Sequence, residues 1–479
     1  MKIVVVGAGY VGLTTSAGLA KLGHTVVCLD SDHAKVKALQ EGQVPFYEPG
    51  LPELVKEGWD SLRLSFDVTG EGGYGVHLTH ADAVFIAVGT PSRLDGGADL
   101  GQIFQVAQEI GKAALHGKPA DPLLVLIKST VPVGTAEKVR AILEQQLAHH
   151  EHWQNLRRCL VISNPEFLRE GQALQDFFRP DRIIFGMAQP EYDEMREVLS
   201  EIYKPVPPAM SPTVPATIFT TNESAELIKY ASNAMLAVRI SFANELARLC
   251  ERTGADVEDV TKGMGLDRRI GPAFLKAGMG YGGSCFGKDT LALLAMGKEH
   301  HAEMLITQAA ARMNVDARSS LFVKAWKHFG GATGIKGKRF ALWGMAFKPE
   351  TDDVRDAPAL DLADSLEEVD AIVYGYDPKA RDNVVKELNR RHPERPCYKA
   401  DLEAIPVEER KWDTVKLSPD ALFVCTEWDE FKKVTPQELA AHGVNVVFDG
   451  RNIWNPREML LAGITYYSVG RAAVLPRES

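Results

Sequence analysis

The segment Val6-Gly7-Ala8-Gly9-Tyr10-Val11-Gly12 decides the fold, because it joins the apolar run at residues 3–6 to a predicted helix. GxGxxG between a strand and a helix is typical of dinucleotide-binding folds. The first glycine allows a tight turn, the second lets a pyrophosphate approach the backbone, and the third lets helix and strand pack closely. Asp30 ends the next predicted strand, roughly 20 residues on, where a carboxylate accepts ribose hydroxyls. Ser31 and Asp32 follow it rather than an arginine, which favours NAD over NADP.

The remainder of the first third of the chain alternates short apolar runs with helical stretches. Strands are predicted at residues 25–29, 83–88, 123–127 and 160–162, with a further strand at 182–185, and helices at 102–115 and 135–147. Strands that are continuous in Val, Ile and Leu are typical of parallel sheets buried on both faces. This rhythm therefore predicts a doubly wound parallel sheet.

A long helix is predicted at residues 223–252, with Thr220 or Asn222 as its cap and Gly254 as its stop. Apolar residues cover much of its surface, which is typical of a helix buried between domains or at a subunit interface. A second α/β pattern begins at Lys338, with strands at 339–343, 371–374, 421–425, 444–448 and 464–467.

The predicted fold class is α/β, with two doubly wound Rossmann-like domains joined by a central long-helix dimerisation region. The boundaries are 1–204 for the dinucleotide-binding domain, 205–330 for the linker and central region with its cysteine loop, and 331–479 for the second α/β domain. The histidine-rich segment 149–158 receives no function. The proline-rich segment 205–215 is interpreted as a linker or irregular loop.

Composition and charge exclude several classes of partner. The 479 residues carry a formal net charge of -10, which argues against nucleic acid and anionic membranes, since both require a basic surface. The six cysteines form no CxxC pair, so zinc ligation and a disulfide framework are not expected, and no metal site is predicted. We identify no signal peptide and no apolar run long enough to span a membrane, and we expect a cytoplasmic protein.

Cys285 lies in the segment Gly282-Gly283-Ser284-Cys285-Phe286-Gly287-Lys288-Asp289, just before a predicted helix rich in Leu and Ala. A cysteine at a helix N-terminus, with a lysine three residues on, lies in an electropositive setting that favours the thiolate. A single cysteine is more often a small buried apolar residue. The glycine run and the Lys288-Asp289 pair favour a nucleophile at this position, whereas the other five cysteines are interpreted as buried apolar residues.

Two polar residues, Lys229 and Asn233, lie four residues apart on the long predicted helix and therefore on one face. That face is otherwise apolar. A lysine there either extends to solvent or points into a functional cleft, and the two alternatives stay open. Asn233 is expected to have its amide hydrogen-bonded.

Polar residues also follow several predicted strands at the edge of the sheet where ligands bind in open α/β folds. Glu166 and Glu170 follow the strand at 160–162; they are either a solvated helix face or, as we favour, include a base that activates water. Thr90 and Thr130 follow two other strands and offer hydroxyl groups to cofactor or substrate.

With these motifs assembled, the chain resembles the UDP-glucose/GDP-mannose dehydrogenase family. The resemblance covers nearly the whole chain, from GAGYVGL through VGTP, IKSTVPVG, PEFLREG, AELIKYASNA, GYGGSCFGKD, GMAFKPETDDVRDAP and CTEW to FDGRN. It implies oxidation of a sugar nucleotide's primary alcohol through an aldehyde to a carboxylate, with two NAD molecules used in succession. UDP-glucose would give UDP-glucuronate. The second α/β domain, which has Gly344-Met345-Ala346-Phe347 in place of GxGxxG, would bind the sugar nucleotide.

The resemblance also implies roles for individual residues. Cys285 would take the aldehyde as a thiohemiacetal that is oxidised to a thioester, since an aldehyde can lose a hydride only after a nucleophile adds to it. Lys229 and Asn233 would stabilise the developing oxyanion. Asp289 would position a catalytic water, and Glu170, with Thr130 beside it, would activate the hydrolytic water.

The binding residues implied by the resemblance form two sets. For NAD they are Gly7, Gly9, Val11, Gly12, Asp30, Lys35, Thr90, Thr130, Glu170 and Lys288. For the sugar nucleotide they are Glu166, Lys229, Asn233, Arg269, Phe274, Leu275, Lys276, Ala277, Gly278, Gly282, Lys348 and Arg355. Arg269 resembles an arginine that reaches the site of a neighbouring subunit, which implies a homodimer or higher homo-oligomer formed through the long helix.

Alternatives remain at the level of the sequence. The same chemistry could act on GDP-mannose or a UDP-N-acetylhexosamine, although the stretch Arg268-Arg269-Ile270-Gly271-Pro272-Ala273-Phe274 favours UDP-glucose. An NAD-binding protein without catalysis is a further alternative. Retention of the residues with implied catalytic roles, Cys285, Lys229, Asn233, Asp289 and Glu170, argues against it. A two-electron alcohol dehydrogenase would need no cysteine.

Overall fold

The computed structural model describes residues 1–70, 73–115, 122–148, 158–188, 192–204, 215–393 and 418–476. The segments 149–157 and 205–214, and with them the expectations for the histidine-rich and proline-rich stretches, lie outside the described residues, as does Cys397. The chain divides into two compact units, and each is described by itself. Unit 1 comprises Met1–Ser232 and Leu291–Ala302, and unit 2 comprises Asn233–Thr290 and Glu303–Ser479. The three predicted domain boundaries stay a prediction.

The elements of the first part of the chain alternate between strands and helices. The strands are β1 (Lys2–Val6), β2 (Thr25–Asp30), β3 (Leu64–Val68), β4 (Ala83–Ile86), β5 (Leu123–Ile127), β6 (Cys159–Ser163), β7 (Arg182–Gly186) and β8 (Ala216–Thr220). The helices are α1 (Tyr10–Lys21), α2 (His33–Gln40), α3 (Leu51–Asp60), α4 (Gly73–Leu78), α5 (Gly101–Ala114), α6 (Thr135–Ala148), α7 (Ala173–Phe178) and α8 (Tyr192–Ile202).

A helical stretch precedes the second set of strands. Its helices are α9 (Asn222–Thr253), α10 (Val257–Gly265), α11 (Gly283–Glu299), α12 (Leu305–Arg318), α13 (Ser320–Phe329) and α14 (Ala332–Ile335). The strands that follow are β9 (Arg339–Trp343), β10 (Ile372–Tyr376), β11 (Ala421–Val424), β12 (Val446–Asp449) and β13 (Thr465–Ser468). Between them lie α15 (Pro358–Glu367), α16 (Arg381–Arg391), α17 (Asp429–Lys432), α18 (Pro436–Ala441) and α19 (Pro456–Leu461).

The sheet of unit 1 has the strand order β3-β2-β1-β4-β5-β6-β7-β8, and its neighbours are parallel except for β6 and β7. Successive side chains of β1 enter opposite layers: Ile3 and Val5 join one buried apolar cluster, and Val4 and Val6 join another. Both faces are therefore covered, as the continuous apolar strands predict. The strand order reverses beside β1, so the carboxyl ends of β1 and β4 flank the crevice where such sheets bind ligands.

The sheet of unit 2 is parallel throughout, with the order β10-β9-β11-β12-β13. Side chains of its strand β9 again enter two layers, since Phe340 and Leu342 join one apolar cluster and Ala341 and Trp343 join the other. The α/β fold class, with two Rossmann-like sheets and a central long helix, is confirmed.

Two strands were missed from the sequence. β3 and β8 are the outer strands of the first sheet. The residues of β8 are exposed or only half-buried, and polar residues alternate with apolar ones in β3, so neither forms a continuous apolar run. The long helix ends where predicted, with Gly254 at φ +80° directly after it. Its start differs: Thr221, rather than Thr220 or Asn222, accepts the backbone N–H of Ser224 at 3.2 Å.

A cavity in the central strands of unit 1 should destabilise the protein. Phe85 on β4 is fully buried, so Phe85→Ala should lower the free energy of unfolding by about 3–5 kcal/mol. Leu94 is fully exposed, and Leu94→Ala serves as the matched control with an effect within about 0.5 kcal/mol. Urea denaturation measures both, and equal losses for the two variants would contradict this packing.

Candidate active site

The glycine turn after β1 has two positions closed to a side chain and one that is open. Gly7 has φ +107°, and a Cβ there would lie 2.6 Å from the Ala87 carbonyl oxygen. A Cβ at Gly12 would collide with the Gly7 carbonyl oxygen. A Cβ at Gly9 would meet nothing within 4 Å. The fold itself thus requires the first and third glycines, whereas the second leaves space in front of its backbone for a ligand.

The start of α1 and the carboxylate of Asp30 border that space. Helix α1 has no side chain capping its N-terminus and no acidic residue in its first turn, so its N–H groups can bind an anion such as a pyrophosphate. Asp30 accepts hydrogen bonds from the Ala8 N–H at 2.7 Å, the Asp32 N–H at 2.9 Å and the Lys35 ammonium at 3.0 Å. These residues fit a dinucleotide, because the open glycine, the uncapped helix and the fixed carboxylate match its pyrophosphate and ribose.

A buried ion pair joins α9 to the end of β6. The Lys229 ammonium lies 2.7 Å from the Glu166 carboxylate, and the two side chains are 5% and 6% exposed. Glu166 also accepts the Leu168 N–H at 2.6 Å. Burial alone would raise the pKa of Glu166, but the charge and hydrogen bond of Lys229 outweigh it and hold that pKa below its usual value. Lys229 therefore does not extend to solvent, and the alternative of a solvated helix face for Glu166 is excluded.

A second buried lysine, Lys128 at the end of β5, was not singled out from the sequence. Its ammonium donates to Asn164 Oδ1 at 3.2 Å and lies 3.0 Å from the Tyr203 hydroxyl. Burial lowers the pKa of Lys128 to about 8, although the negative charge of Glu166 opposes that shift. Two ammonium groups thus act on one carboxylate, Glu166, which gives this buried strand edge a positive character suited to developing negative charge.

A small pocket lies beside the ion pair. It is lined by Ile127, Ser129, Thr130, Val131, Ser163, Pro165, Glu226 and Lys229. Thr90 supports its wall, since its hydroxyl donates to the Thr130 carbonyl oxygen at 2.9 Å. Glu226 is the carboxylate in this pocket, and the sequence reasoning passed over it. Its position three residues before Lys229 on one helix is the signal that could have identified it.

The loop that carries Glu170 is held by a buried glutamate from the segment before α3. Glu48 is 2% exposed and accepts the N–H groups of Gly171 at 2.6 Å and Ala173 at 2.8 Å, together with the Tyr10 hydroxyl. Burial, the hydrogen bond to Glu48 and the charges of Glu48 and Glu170 all raise the pKa of Tyr10 far above its usual value. Glu48 therefore ties the half-buried Glu170 to the first turn of α1.

In unit 2, Cys285 lies within the first turn of α11 rather than just before the helix as expected. It is exposed, with the Ser284 hydroxyl 3.5 Å from its sulfur. Cys28, Cys250 and Cys425 are buried, and burial raises the pKa of both Cys28 and Cys425 to about 12. Among the described cysteines Cys285 alone is exposed, while Cys159 is half-buried rather than buried as expected. Exposure matches the requirement for a nucleophile.

The loop before Cys285 packs closely against the segment 345–358. A Cβ at Gly282 would collide with the Asp356 carbonyl oxygen, and one at Gly283, where φ is +82°, would lie 2.7 Å from the Phe347 ring. The Gly283 N–H also donates to the Arg355 carbonyl oxygen at 3.0 Å. The glycine run is therefore needed to bring the cysteine helix against this segment.

One helical turn after Cys285, Asp289 is 1% exposed and joins two predicted site residues. The Asn233 amide donates to one of its carboxylate oxygens at 2.6 Å, and the Lys288 ammonium lies 2.7 Å from the other. The expectation that the Asn233 amide is hydrogen-bonded is confirmed. The hydrogen bond from Asn233 to Asp289 fixes the Asn233 amide relative to the start of α11.

The remaining predicted substrate residues of unit 2 lie in its loops. Arg269 is exposed and ion-paired with Asp267 at 2.6 Å. The segment that follows contains half-buried Phe274 at φ +60°, buried Leu275, exposed Lys276, half-buried Ala277 and buried Gly278. The Gly278 N–H donates to Asn244 Oδ1 at 2.8 Å. Lys348 is half-buried, and Arg355 is exposed and ion-paired with Asp353 at 2.7 Å.

The predicted site residues therefore fall into two groups. Unit 1 contains Gly7, Gly9, Val11, Gly12, Asp30, Lys35, Thr90, Thr130, Glu166, Glu170 and Lys229, and unit 2 contains the others. Within the described part of the chain, no helix combines the length and apolar character needed to cross a membrane. Over the same residues, no group of three or more His, Cys, Asp or Glu side chains is arranged to hold a metal ion.

Three domain profiles of one family match this chain. Residues 1–207 match the UDP-glucose/GDP-mannose dehydrogenase family, NAD binding domain; residues 223–316 match its central domain, and residues 341–456 match its UDP binding domain. The match to the NAD binding domain confirms NAD as the cofactor.

Individual relatives match over nearly the full length. UDP-glucose 6-dehydrogenase of Rhizobium meliloti (strain 1021) is 42% identical over 473 residues, which covers 98% of this chain and 100% of that protein. UDP-glucose 6-dehydrogenase YwqF of Bacillus subtilis (strain 168) is 42% identical over 483 residues and covers 99% of each. The structure of a UDP-glucose dehydrogenase from Pyrobaculum islandicum has 35% identity, a TM-score of 0.82 and 98% coverage of both chains. The chain belongs to the UDP-glucose/GDP-mannose dehydrogenase family.

Proposed function

We propose that this chain oxidises UDP-glucose to UDP-glucuronate in two NAD-dependent steps, with Cys285 as the covalent nucleophile. The observation that carries the proposal is the exposed Cys285 thiol in the first turn of α11, one turn before the buried Asp289–Asn233 pair. The names of the relatives that are 42% identical over nearly the whole chain support UDP-glucose as the substrate.

In this proposal the glycine turn and its neighbours hold the cofactor. Gly7, Gly9, Val11 and Gly12 form the turn, Asp30 and Lys35 receive the adenosine ribose, and Thr90, Thr130, Glu170 and Lys288 complete the set. NAD, when bound, supplies the hydride acceptor for both oxidation steps. Gly9 contributes open space, the start of α1 binds the pyrophosphate, and Asp30 is fixed by its three donors before the cofactor arrives.

Cys285 performs the covalent chemistry. After the first oxidation its thiolate adds to the aldehyde carbon and gives a thiohemiacetal, which has a carbon–hydrogen bond and an oxygen from which the second oxidation can proceed. The product of that oxidation is a thioester. Water then attacks the thioester carbonyl, the carbon–sulfur bond breaks, and the carboxylate and the Cys285 thiol are released. The N-terminus of α11 and Lys288 three residues later favour the thiolate.

Charged and amide groups stabilise the oxygen of the sugar carbon as it gains negative charge. We assign this role to Lys229 and Asn233, because an ammonium and an amide N–H both donate to an oxyanion. Asp289 holds the Asn233 amide and positions a catalytic water, while Glu170, with Thr130 beside it, takes the proton of the hydrolytic water.

The substrate residues are assigned from the family pattern. They are Glu166, Lys229, Asn233, Phe274, Leu275, Lys276, Ala277, Gly278, Gly282, Lys348, Arg355 and, from a neighbouring subunit, Arg269. A homodimer through α9 is supported by an exposed apolar stripe of Leu227, Met235, Phe242 and Leu249, which are spaced by seven or eight residues along this helix. The 84% exposed side chain of Arg269 is accessible for such a role.

Replacing the nucleophile tests the covalent step. Cys285→Ser should bind NAD and UDP-glucose normally, but formation of UDP-glucuronate should fall by at least about a hundredfold, because the serine hydroxyl is a weak nucleophile without a base. Chromatography of the products measures the loss, and Cys159→Ser in β6 is the control. An unchanged steady-state rate for Cys285→Ser would remove the thioester mechanism.

Glu170→Gln tests the hydrolytic base. Thioester breakdown should slow about a hundredfold, within the range typical of general bases, whereas the first oxidation should change little. Mass spectrometry of the acid-quenched protein should then show the acylated form accumulating. Exposed Glu53 on α3 provides the charge-matched control, Glu53→Gln. If the acylated form decays as fast as in the unsubstituted protein, Glu170 is not the base.

Gly9→Ala separates cofactor binding from folding. Gly9 has φ -78° and ψ -172°, which alanine adopts readily, and its Cβ would meet no neighbour, so thermal stability should not fall. NAD affinity should drop at least tenfold, about 1.4 kcal/mol, because the methyl group occupies the space of the pyrophosphate. Gly263→Ala, also without a neighbour within 4 Å, is the control. Calorimetric titration with NAD measures both, and equal affinities would contradict this binding geometry.

A further inference from the structure

Glu226 is a buried carboxylate that the proposed chemistry does not use. It lies on α9 with 3% of its surface exposed, three residues before Lys229, and both residues line the small pocket that also contains Thr130. A carboxylate in such surroundings needs hydrogen-bond donors to offset the loss of water. Its donors come from two other elements of unit 1.

The first pair of donors belongs to the start of α6. The Gly134 N–H donates to Glu226 Oε2 at 2.7 Å, and the Ala136 N–H donates to Oε1 at 2.8 Å. These N–H groups lie at the N-terminus of α6, where they would otherwise lack partners within the helix. Glu226 therefore caps α6 from another helix and fixes the loop between β5 and α6, which carries Thr130.

The second contact is with the end of β6. The Ser163 hydroxyl donates to Glu226 Oε1 at 3.4 Å, and the Ser163 N–H donates to Asn222 Oδ1 at 2.9 Å at the start of α9. Three residues after Ser163, Glu166 forms its ion pair with Lys229. The segments that carry Thr130, Glu166 and Lys229 therefore converge on one carboxylate.

We propose that Glu226 is a positioning residue that, when ionised, fixes the Lys229 ammonium and the Thr130 loop in their reactive arrangement. This inference rests on the proposed function, because it concerns how the catalytic groups of that reaction are held. Misplacement of such groups by about 1 Å can lower a rate a hundredfold. Glu226 itself touches neither substrate nor cofactor in this proposal.

The ionisation of Glu226 gives the proposal a pH dependence. Burial raises the pKa of Glu226 to about 7, while the hydrogen bonds from Ala136, Gly134 and Ser163 oppose that shift and the charge of Glu223 adds to it. Charged groups on the elements packed around Glu226 have other partners. Lys229 is paired with Glu166, Lys128 bonds to Asn164 and Tyr203, and Glu137 of α6 is exposed and pairs with Arg140. Above about pH 7 the ionised carboxylate accepts both N–H groups of α6 strongly, and below it these bonds weaken.

Stability and activity should respond to Glu226 in opposite directions. A carboxyl group whose pKa is raised from 4.5 to about 7 in the folded protein contributes stability that is complete below about pH 4.5 and is lost as the pH rises through 7. The positioning of Lys229 and the Thr130 loop by Glu226 should become stronger over the same rise in pH. A purely structural role would instead make activity follow stability.

The test compares Glu226→Gln with Glu223→Gln, an exposed glutamate one turn earlier on the same helix. For Glu226→Gln, kcat for NADH formation from UDP-glucose at pH 8.5 should fall between about tenfold and a hundredfold. KM and the Kd for NAD should stay within about twofold. The unsubstituted protein should lose kcat on the acid side of about pH 7. Glu223→Gln should keep this limb at a lower pH, because the charge of Glu223 then no longer raises the pKa of Glu226, and the limb should be absent from Glu226→Gln.

The outcomes separate the two proposals. A lack of NADH formation by the unsubstituted protein would refute the proposed function. An active protein in which Glu226→Gln keeps its kcat and its acid limb, or loses thermal stability and NAD affinity together with kcat, would overturn the positioning role. Should Glu226→Gln fail to fold, Ser163→Ala decides. It removes a hydrogen bond that lowers the pKa of Glu226, so the acid limb of kcat should move to higher pH, and an unshifted limb would overturn the proposal.

Discussion

The ion pair between Lys229 and Glu166 is the interaction on which the rest of the unit 1 site depends. Both side chains are almost fully buried, and each charge would be costly to bury without the other: removal of one partner from such a pair typically costs about 3–5 kcal/mol. The pair therefore holds α9 against the sheet at the end of β6. Neighbouring strand ends then supply Lys128, Thr130 and Ser163, and Glu226 joins them to the same helix.

The two sheets share one type of hydrogen bond, which is donated by the glycine that follows the first strand of each sheet. In unit 1 the Gly7 N–H donates to the Leu29 carbonyl oxygen at 2.7 Å, and in unit 2 the Gly344 N–H donates to the Tyr376 carbonyl oxygen at 2.8 Å. Asp377 takes the place that Asp30 has in unit 1, and its Oδ2 accepts the Met345 and Ala346 N–H groups and the Trp428 indole. Both carboxylates are thus held by protein donors, and the two units differ in the family domain they match: the NAD binding domain for residues 1–207 and the UDP binding domain for residues 341–456.

Much of this was predictable from the sequence, because the central strands are continuous apolar runs and GxGxxG specifies its own turn. The outer strands β3 and β8 were not, since an edge strand needs no continuous apolar run. Lys128, Glu48 and Glu226 were not predicted as site residues, for another reason. Each is a charged residue whose burial is decided by partners 36 to 125 positions away in the chain. Of the three, Glu226 alone has a local signal, its helical spacing from Lys229. Cys285 and Asn233 were identified because composition and helical spacing set them apart locally.

The central claim is that this protein oxidises one carbon of the sugar twice and passes through a thioester. The most direct measurement counts NADH formed per UDP-glucose consumed, by absorbance for the one and chromatography for the other, with GDP-mannose and UDP-N-acetylglucosamine run in parallel. The account predicts two NADH for each UDP-glucuronate and little turnover of the other sugar nucleotides. A ratio of one, with an aldehyde as the accumulating product, would contradict it.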